Sequence, residues 1–228
     1  MSALTSYTAG VRPEGHYLKL LKRRDLSAAD VAEVLRDREA RRHHAIRRVL
    51  ASHPRTPRSD ALALVATLFW RDLAHISADS RVHPEVRRAA DRDLFRRLPE
   101  MALAERIDLA RTVGRGTLVV LKFDPDPDVI AALLDNRFAT EPDIVQVAAR
   151  TSAKASLLEV IADHPRWGLR PAVRSALLRN PALPVRIALA LLSRATLRDL
   201  EGLRATPGIS GLLRACAERV LADRRRQV

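Results

Sequence analysis

The chain has 228 residues, 47% of them hydrophobic and 4% aromatic, with a formal net charge of +13 and a sequence pI near 11.2. That apolar content is enough to bury a core, which excludes disorder throughout. The single cysteine, Cys216, excludes an internal disulfide and fits a reducing compartment, while the most apolar run, Ala61 to Trp70, is half of the roughly 20 residues a bilayer helix needs.

A soluble, cytoplasmic chain is therefore expected, and the opening residues Met1 to Tyr17 lack the basic start and apolar stretch of a secretory signal. Abundant Ala and Leu, thirteen prolines and few alternating β-branched residues predict short helices separated by turns. Charge is unevenly distributed: 20 basic side chains against 12 acidic in residues 1–98, 7 against 11 in 99–165, and 13 against 4 in 166–228. Basic ends of this kind attract nucleic acid, anionic membranes or acidic proteins.

In chain order, Tyr17 to Arg24 forms a short basic amphipathic stretch. Ser27-Ala-Ala-Asp30 then opens a helix expected over Ala28 to Arg38, with the serine capping free amides and the aspartate near the positive helix end. Residues 1–45 read as an N-terminal helical cap. From residue 46 onward the prolines form two interleaved series: Pro57, Pro99, Pro142 and Pro184, and Pro84, Pro125, Pro165 and Pro207. Both recur every 40 to 43 residues, the signature of stacked two- or three-helix units. Proline suits the first turn of a helix, where its missing amide has no partner to lose. Each therefore marks a start.

An offset of 127 residues, three periods, lays Ile46 to Leu73 over Val173 to Leu200. Arg47, Leu50, Pro54, Pro57, Ala61 to Leu64 and Arg71 to Leu73 then meet identical residues. Helices are expected over Pro171 to Arg179, Val185 to Leu192 and Ala195 to Leu203, with Leu64 and Leu191 at equivalent core positions. The motifs Asp126-Pro-Asp-Val129 and Arg170-Pro-Ala-Val173, each ahead of an Ala/Leu helix, resemble the second-proline helices of the HEAT and armadillo class, including the bacterial leucine-rich-variant type. The resemblance covers residues 46–228. It implies an all-α, right-handed α-solenoid of about four repeats of about 42 residues, and carries no activity with it.

Catalytic and cofactor signatures are missing from the sequence. Gly114-Arg-Gly116 has no following Lys-Ser or Lys-Thr and reads as a turn. Asp124, Asp126 and Asp128 lack the glycine and distal glutamate of a calcium loop and read as a helix start. His43 and His44 point about 100° apart on a helix and cannot share a metal, and His53, His83 and His164 each precede a proline. Cys216 aligns with Leu212, Leu213, Val220 and Leu221 as a core position. Neither cofactor nor metal is expected, and no motif matches the alkylpurine DNA glycosylases that use this kind of solenoid.

The expected function is a non-enzymatic scaffold for an acidic protein partner, with nucleic-acid binding by the basic ends as the alternative. Aligning Ile46, Val86, Val129 and Val173 puts Arg47, Arg87, Ile130 and Arg174 in one column and Ser52, Arg92, Asp135 and Arg179 in another. The candidate partner-binding residues are thus Arg47, Arg87, Arg92, Arg174 and Arg179, expected to face a shared groove on the concave side, with solvated helix flanks as the alternative.

Overall fold

The computed structural model describes residues 13–23 and 25–226. Residues 1–12, within the stretch read above for a leader, and Arg24 lie outside the described residues. All regular structure among the described residues is helical, and the chain divides into two compact units, residues 1–100 and 101–228. No described helix is long and apolar enough to cross a membrane.

Unit 1 contains α1 (Glu14–Leu21), α2 (Ala28–Arg36), α3 (Arg38–Arg42), α4 (His44–Ser52), α5 (Arg58–Val65), α6 (Trp70–Ala78) and α7 (Pro84–Arg97), followed by one 3-10 turn at Leu98–Glu100. Unit 2 contains α8 (Leu103–Thr112), α9 (Arg115–Leu121), α10 (Pro127–Leu134), α11 (Glu141–Ala149), α12 (Ala155–Asp163), α13 (Pro171–Leu178), α14 (Val185–Leu192), α15 (Leu197–Ala205) and α16 (Gly211–Arg226). Proline stands where its chemistry places it: Pro84, Pro127 and Pro171 open α7, α10 and α13, and Pro57 and Pro184 cap α5 and α14. Pro99, Pro125, Pro165 and Pro207 depart from that rule: Pro99 lies inside the 3-10 turn that ends α7, and the other three lie in the turns ahead of α10, α13 and α16.

The internal duplication extends to helix boundaries. Adding 127 to the ends of α5 and α6 gives the ends of α14 and α15, and adding it to the first residues of α4 and α7 gives those of α13 and α16. Packing follows one rule in both units. Helix α7 packs on α5 and α6, α10 on α8 and α9, α13 on α11 and α12, and α16 on α14 and α15. At the start of the chain α4 packs on α1 and α3 instead, and Tyr17 and Leu21 of α1 are buried with Ile46 and Leu50 of α4.

Helices this short persist by burying an apolar face against their neighbours, and side chains from other elements hold several of their ends. Asn136, at the end of α10, donates from Nδ2 to the carbonyls of Ala110 (2.8 Å) and Val113 (3.0 Å) at the end of α8. Asn180, at the end of α13, does the same to Ala148 (2.8 Å) and Arg150 (2.9 Å) at the end of α11. Arg97 reaches the carbonyl of Leu68 at 2.8 Å, and Arg224, 127 residues later, reaches that of Ala195, the counterpart of Leu68. Trp167, almost fully buried, donates to the Leu134 carbonyl at 2.7 Å. The turn it occupies requires Gly168, where an added Cβ would lie 2.0 Å from the Ala162 carbonyl oxygen.

Several local expectations need correction. The helix expected over Ala28 to Arg38 breaks at Asp37, whose carboxylate accepts the amides of Glu39 and Ala40 and so starts α3. The helix expected from Ala195 begins at Leu197, because Thr196 and Asp199 form a capping box. Leu64 is buried but Leu191 is only half-buried, with Leu192 taking the interior position of α14. Cys216 is half-buried at the edge of the face formed by Leu213, Ala217 and Leu221, and Leu212 is exposed.

The most deeply buried charge in unit 2 is Asp143, the third residue of α11. It accepts from Arg115, from the Thr140 amide (3.1 Å) and hydroxyl, and from Lys122 Nζ (3.0 Å), which also donates to Gln146 at 2.7 Å. Burial pushes the Asp143 carboxyl up, but the bonds from Arg115, Thr140 and Lys122 more than offset it and hold the group well below the ordinary carboxylate range. A native value below the unfolded one gives stability that is complete above the unfolded value, about 3.9, and lost as pH falls toward the native one. Asp143→Asn should therefore lower the urea midpoint at neutral pH, and the gap from wild type should close as pH drops below about 4. A gap that stays constant as pH falls from 7 to about 2 would contradict this assignment.

Candidate functional site

The five arginines selected from the sequence do not form one exposed ladder. Arg47, Arg87 and Arg92 belong to unit 1, and Arg174 and Arg179 to unit 2. Of the first column, Arg174 is 6% exposed and Ile130 fully buried, while Arg47 and Arg87 are half-buried. The reason is the packing rule above. Each of these helices is covered by two predecessors, and Arg174 is enclosed as well by the following helix α15. The second column does reach solvent: Arg92, Asp135 and Arg179 are exposed and Ser52 is half-buried.

Arg174 instead joins a buried ion pair with Asp199 of α15 at 3.5 Å. Burial pushes the Asp199 carboxyl up, yet bonds from Thr196 and Ser175 and the Arg174 charge leave it lowered. Unit 1 repeats the theme at Asp72, 127 residues earlier and equally buried, which contacts His44 Nε2 at 2.6 Å and Arg48 at 3.7 Å. These aspartates tie α4 to α6 and α13 to α15, and they serve the fold.

Chemical candidates named in the sequence resolve in the same way. Nδ1 of His53, His83 and His164 each accepts the amide two residues ahead at 3.2 Å, closing the turn around the following proline. Asp126 caps α10 by accepting the Asp128 amide, and Asp124 pairs with Arg106 at 2.6 Å. Gly114 is the N-cap of α9, with Gly116 in its first turn. Among the described residues no group of three or more His, Cys, Asp or Glu is placed to hold a metal ion.

An open cleft of about 660 Å³ in unit 1 has a different character. One part of its lining comes from α3, whose Arg38, Arg41 and Arg42 stand at helical spacing on the side opposite the buried Ala40. Leu35 of α2 and Arg47 of α4 adjoin them. The remainder comes from α5, with Asp60, Ala63 and Leu64 at i, i+3 and i+4, and from Thr67 in the turn that follows it. The cleft thus gathers four guanidinium groups, one carboxylate and an apolar strip.

Local chemistry fixes the arginine wall. Asp37 caps the start of α3 and is itself bonded by the Tyr17 hydroxyl, so α3 is anchored to α1. At the other end Arg47 Nη1 donates to the carbonyls of Arg41 (2.9 Å) and Arg42 (3.1 Å), which orients the last turn. Arg47 is therefore a positioning residue of this cleft, with a role different from the exposed contact expected of it. Arg38, Arg41 and Arg42 remain exposed, and Arg42 pairs with Glu39 at 2.8 Å across solvent, an interaction of little strength. The signal for this wall was present in the sequence as Arg38, Arg41 and Arg42 at i, i+3 and i+4, but the cap reading of residues 1–45 left it unassigned.

Comparison with protein-family models, with curated proteins and with solved structures returns no match. The cleft is consequently read on its chemistry.

The division between buried and exposed arginines has a direct test. Arg174→Ala leaves Asp199 buried without its cation and should cost about 3 kcal/mol, whereas Arg179→Ala should change stability by less than about 0.5 kcal/mol. Chemical denaturation of both variants measures the contrast. Equal, small losses would show that Arg174 is as exposed in solution as Arg179.

Proposed function

We propose that the protein is a non-enzymatic binding scaffold, a HEAT/armadillo-like right-handed array of about four repeats of about 42 residues, whose arginines engage an acidic protein partner. The recurrence of helix boundaries at an offset of 127 supports the repeat reading. The observation that carries the functional reading is the cleft of unit 1, where the exposed Arg38, Arg41 and Arg42, with Arg47 holding the end of their helix, share the lining with a single carboxylate. Guanidinium groups form paired bonds with carboxylates and lose less hydration than an ammonium, so a cluster of them suits an acidic polypeptide.

Nucleic-acid binding by the basic ends is the second reading, favoured by the 13 basic against 4 acidic side chains of residues 166–228. Many of those cations are already engaged. Arg174 pairs with Asp199, Arg186 with Glu159, Arg225 with Glu201 and Arg226 with Asp223, and Arg224 is bonded to two carbonyls. The charge offered to a phosphate backbone is accordingly smaller than composition suggests.

Fluorescence anisotropy with labelled poly-glutamate and with a labelled DNA duplex, each titrated over a range of salt, distinguishes the readings. Poly-glutamate should bind wild type and lose most of its affinity to the triple variant Arg38→Gln, Arg41→Gln, Arg42→Gln, whose exposed positions leave the melting temperature nearly unchanged. Tight duplex binding with a log–log salt slope of several times −0.9, unaffected by that variant, would instead support the nucleic-acid reading.

A further inference from the structure

The arginine cleft also constrains what its occupant looks like. Its two linings differ in kind: α3 brings charge, while α5 and the turn that follows it bring Ala63 and Leu64 flanked by Asp60 and Thr67. Arg38 and Arg42 are four residues apart on one helix, which separates their backbones by about 6 Å. In an extended peptide, residues i and i+2 lie on one side and are about 6.6 Å apart, with residue i+1 on the other side. The two spacings match.

We infer that the cleft holds an extended acidic segment of a partner protein in which two acidic residues flank one apolar residue, an acidic–apolar–acidic triplet. This rests on the acidic-partner reading above and specifies its recognition element. The flanking carboxylates pair with Arg38 and Arg42, and Arg41 adds a third cation beside them. The central side chain lies on Ala63 and Leu64, removing apolar surface from water on both partners. Asp60 favours a polypeptide over bare phosphates along a backbone: it can accept a backbone amide of a peptide, whereas a phosphodiester group has no hydrogen-bond donor to offer it. Arg47 holds the end of α3 through the Arg41 and Arg42 carbonyls, so the arginine wall is set before any ligand arrives.

The test uses the full chain and three labelled peptides of equal charge: one with a central Asp-Leu-Asp, one with Asp-Ser-Asp, and one with the leucine moved outside adjacent aspartates. The first should bind best. Serine for leucine should weaken binding roughly tenfold, as expected for losing one buried leucine side chain, and the shuffled peptide should be weakened similarly. Two variants address the site itself. Ala63→Glu, at an exposed position of α5, places a bulky carboxylate in the cleft, and the double variant Arg38→Gln, Arg42→Gln removes the paired cations. Each should abolish the preference while circular dichroism and melting stay as in wild type. If all three peptides bind equally and the arginine variant weakens them all, the acidic-partner reading stands and the triplet inference falls. If no acidic peptide binds, both fall. A DNA duplex that binds wild type and is lost with Ala63→Glu would assign the cleft to nucleic acid and overturn the inference.

Discussion

An α-helix leaves its first four amides and last four carbonyls without partners inside the helix. In helices of eight residues, such as α5, α10, α13 and α14, those orphaned groups are about half of the backbone's total. Such helices are unstable in isolation and depend on what meets their ends. Here the ends are met by a recurring set of side chains: Asn136, Asn180, Arg97, Arg224, Arg150 and Arg47 each donate to carbonyls of another helix or of the turn that follows one. The buried apolar faces supply most of the favourable free energy, and these bonds decide which faces meet.

This constraint accounts for the arginine-rich composition and for the uneven availability of its charge. An arginine that balances a buried aspartate, as Arg174 does, adds to net charge without offering that charge to a partner, and one that satisfies carbonyls, as Arg224 does, has fewer donors left to offer. Arginine suits both tasks because its planar fork carries several donors and keeps its charge under cover. The arginines of α3 differ because Asp37 and Arg47 already satisfy that helix's ends. Arg38, Arg41 and Arg42 therefore line the cleft as exposed residues, Arg42 paired with Glu39 across solvent, and the proposed function rests on them.

Much of this was legible in the sequence. Proline at helix starts and the 127-residue self-match located α13 and α14 to within a residue, since both signals arise from local backbone chemistry. What the sequence did not disclose was which flank of each helix its neighbours cover. Arg174 and Leu191 illustrate the two errors: periodicity left the arginine outside and the leucine inside, whereas α13 buries Arg174 against Asp199 of α15 and α14, set against α13 and α16, buries Leu192 in place of Leu191. The break at Asp37 was hidden for a related reason. A carboxylate compatible with a helix interior caps α3 instead, held there by Tyr17 from twenty residues away. The cleft needed that break, because it turns Arg38, Arg41 and Arg42 toward α5.

The central claim is that side chains from other elements hold the ends of these helices. Hydrogen–deuterium exchange on Asn180→Ala tests it most directly, because Asn180 reaches only the end of α11 and its own turn. Amides in the last turn of α11, through Arg150, and in the turn after α13 should exchange markedly faster, while those of α14 and α15 keep wild-type rates. Unchanged exchange at the end of α11, or a uniform rise across unit 2, would contradict the account.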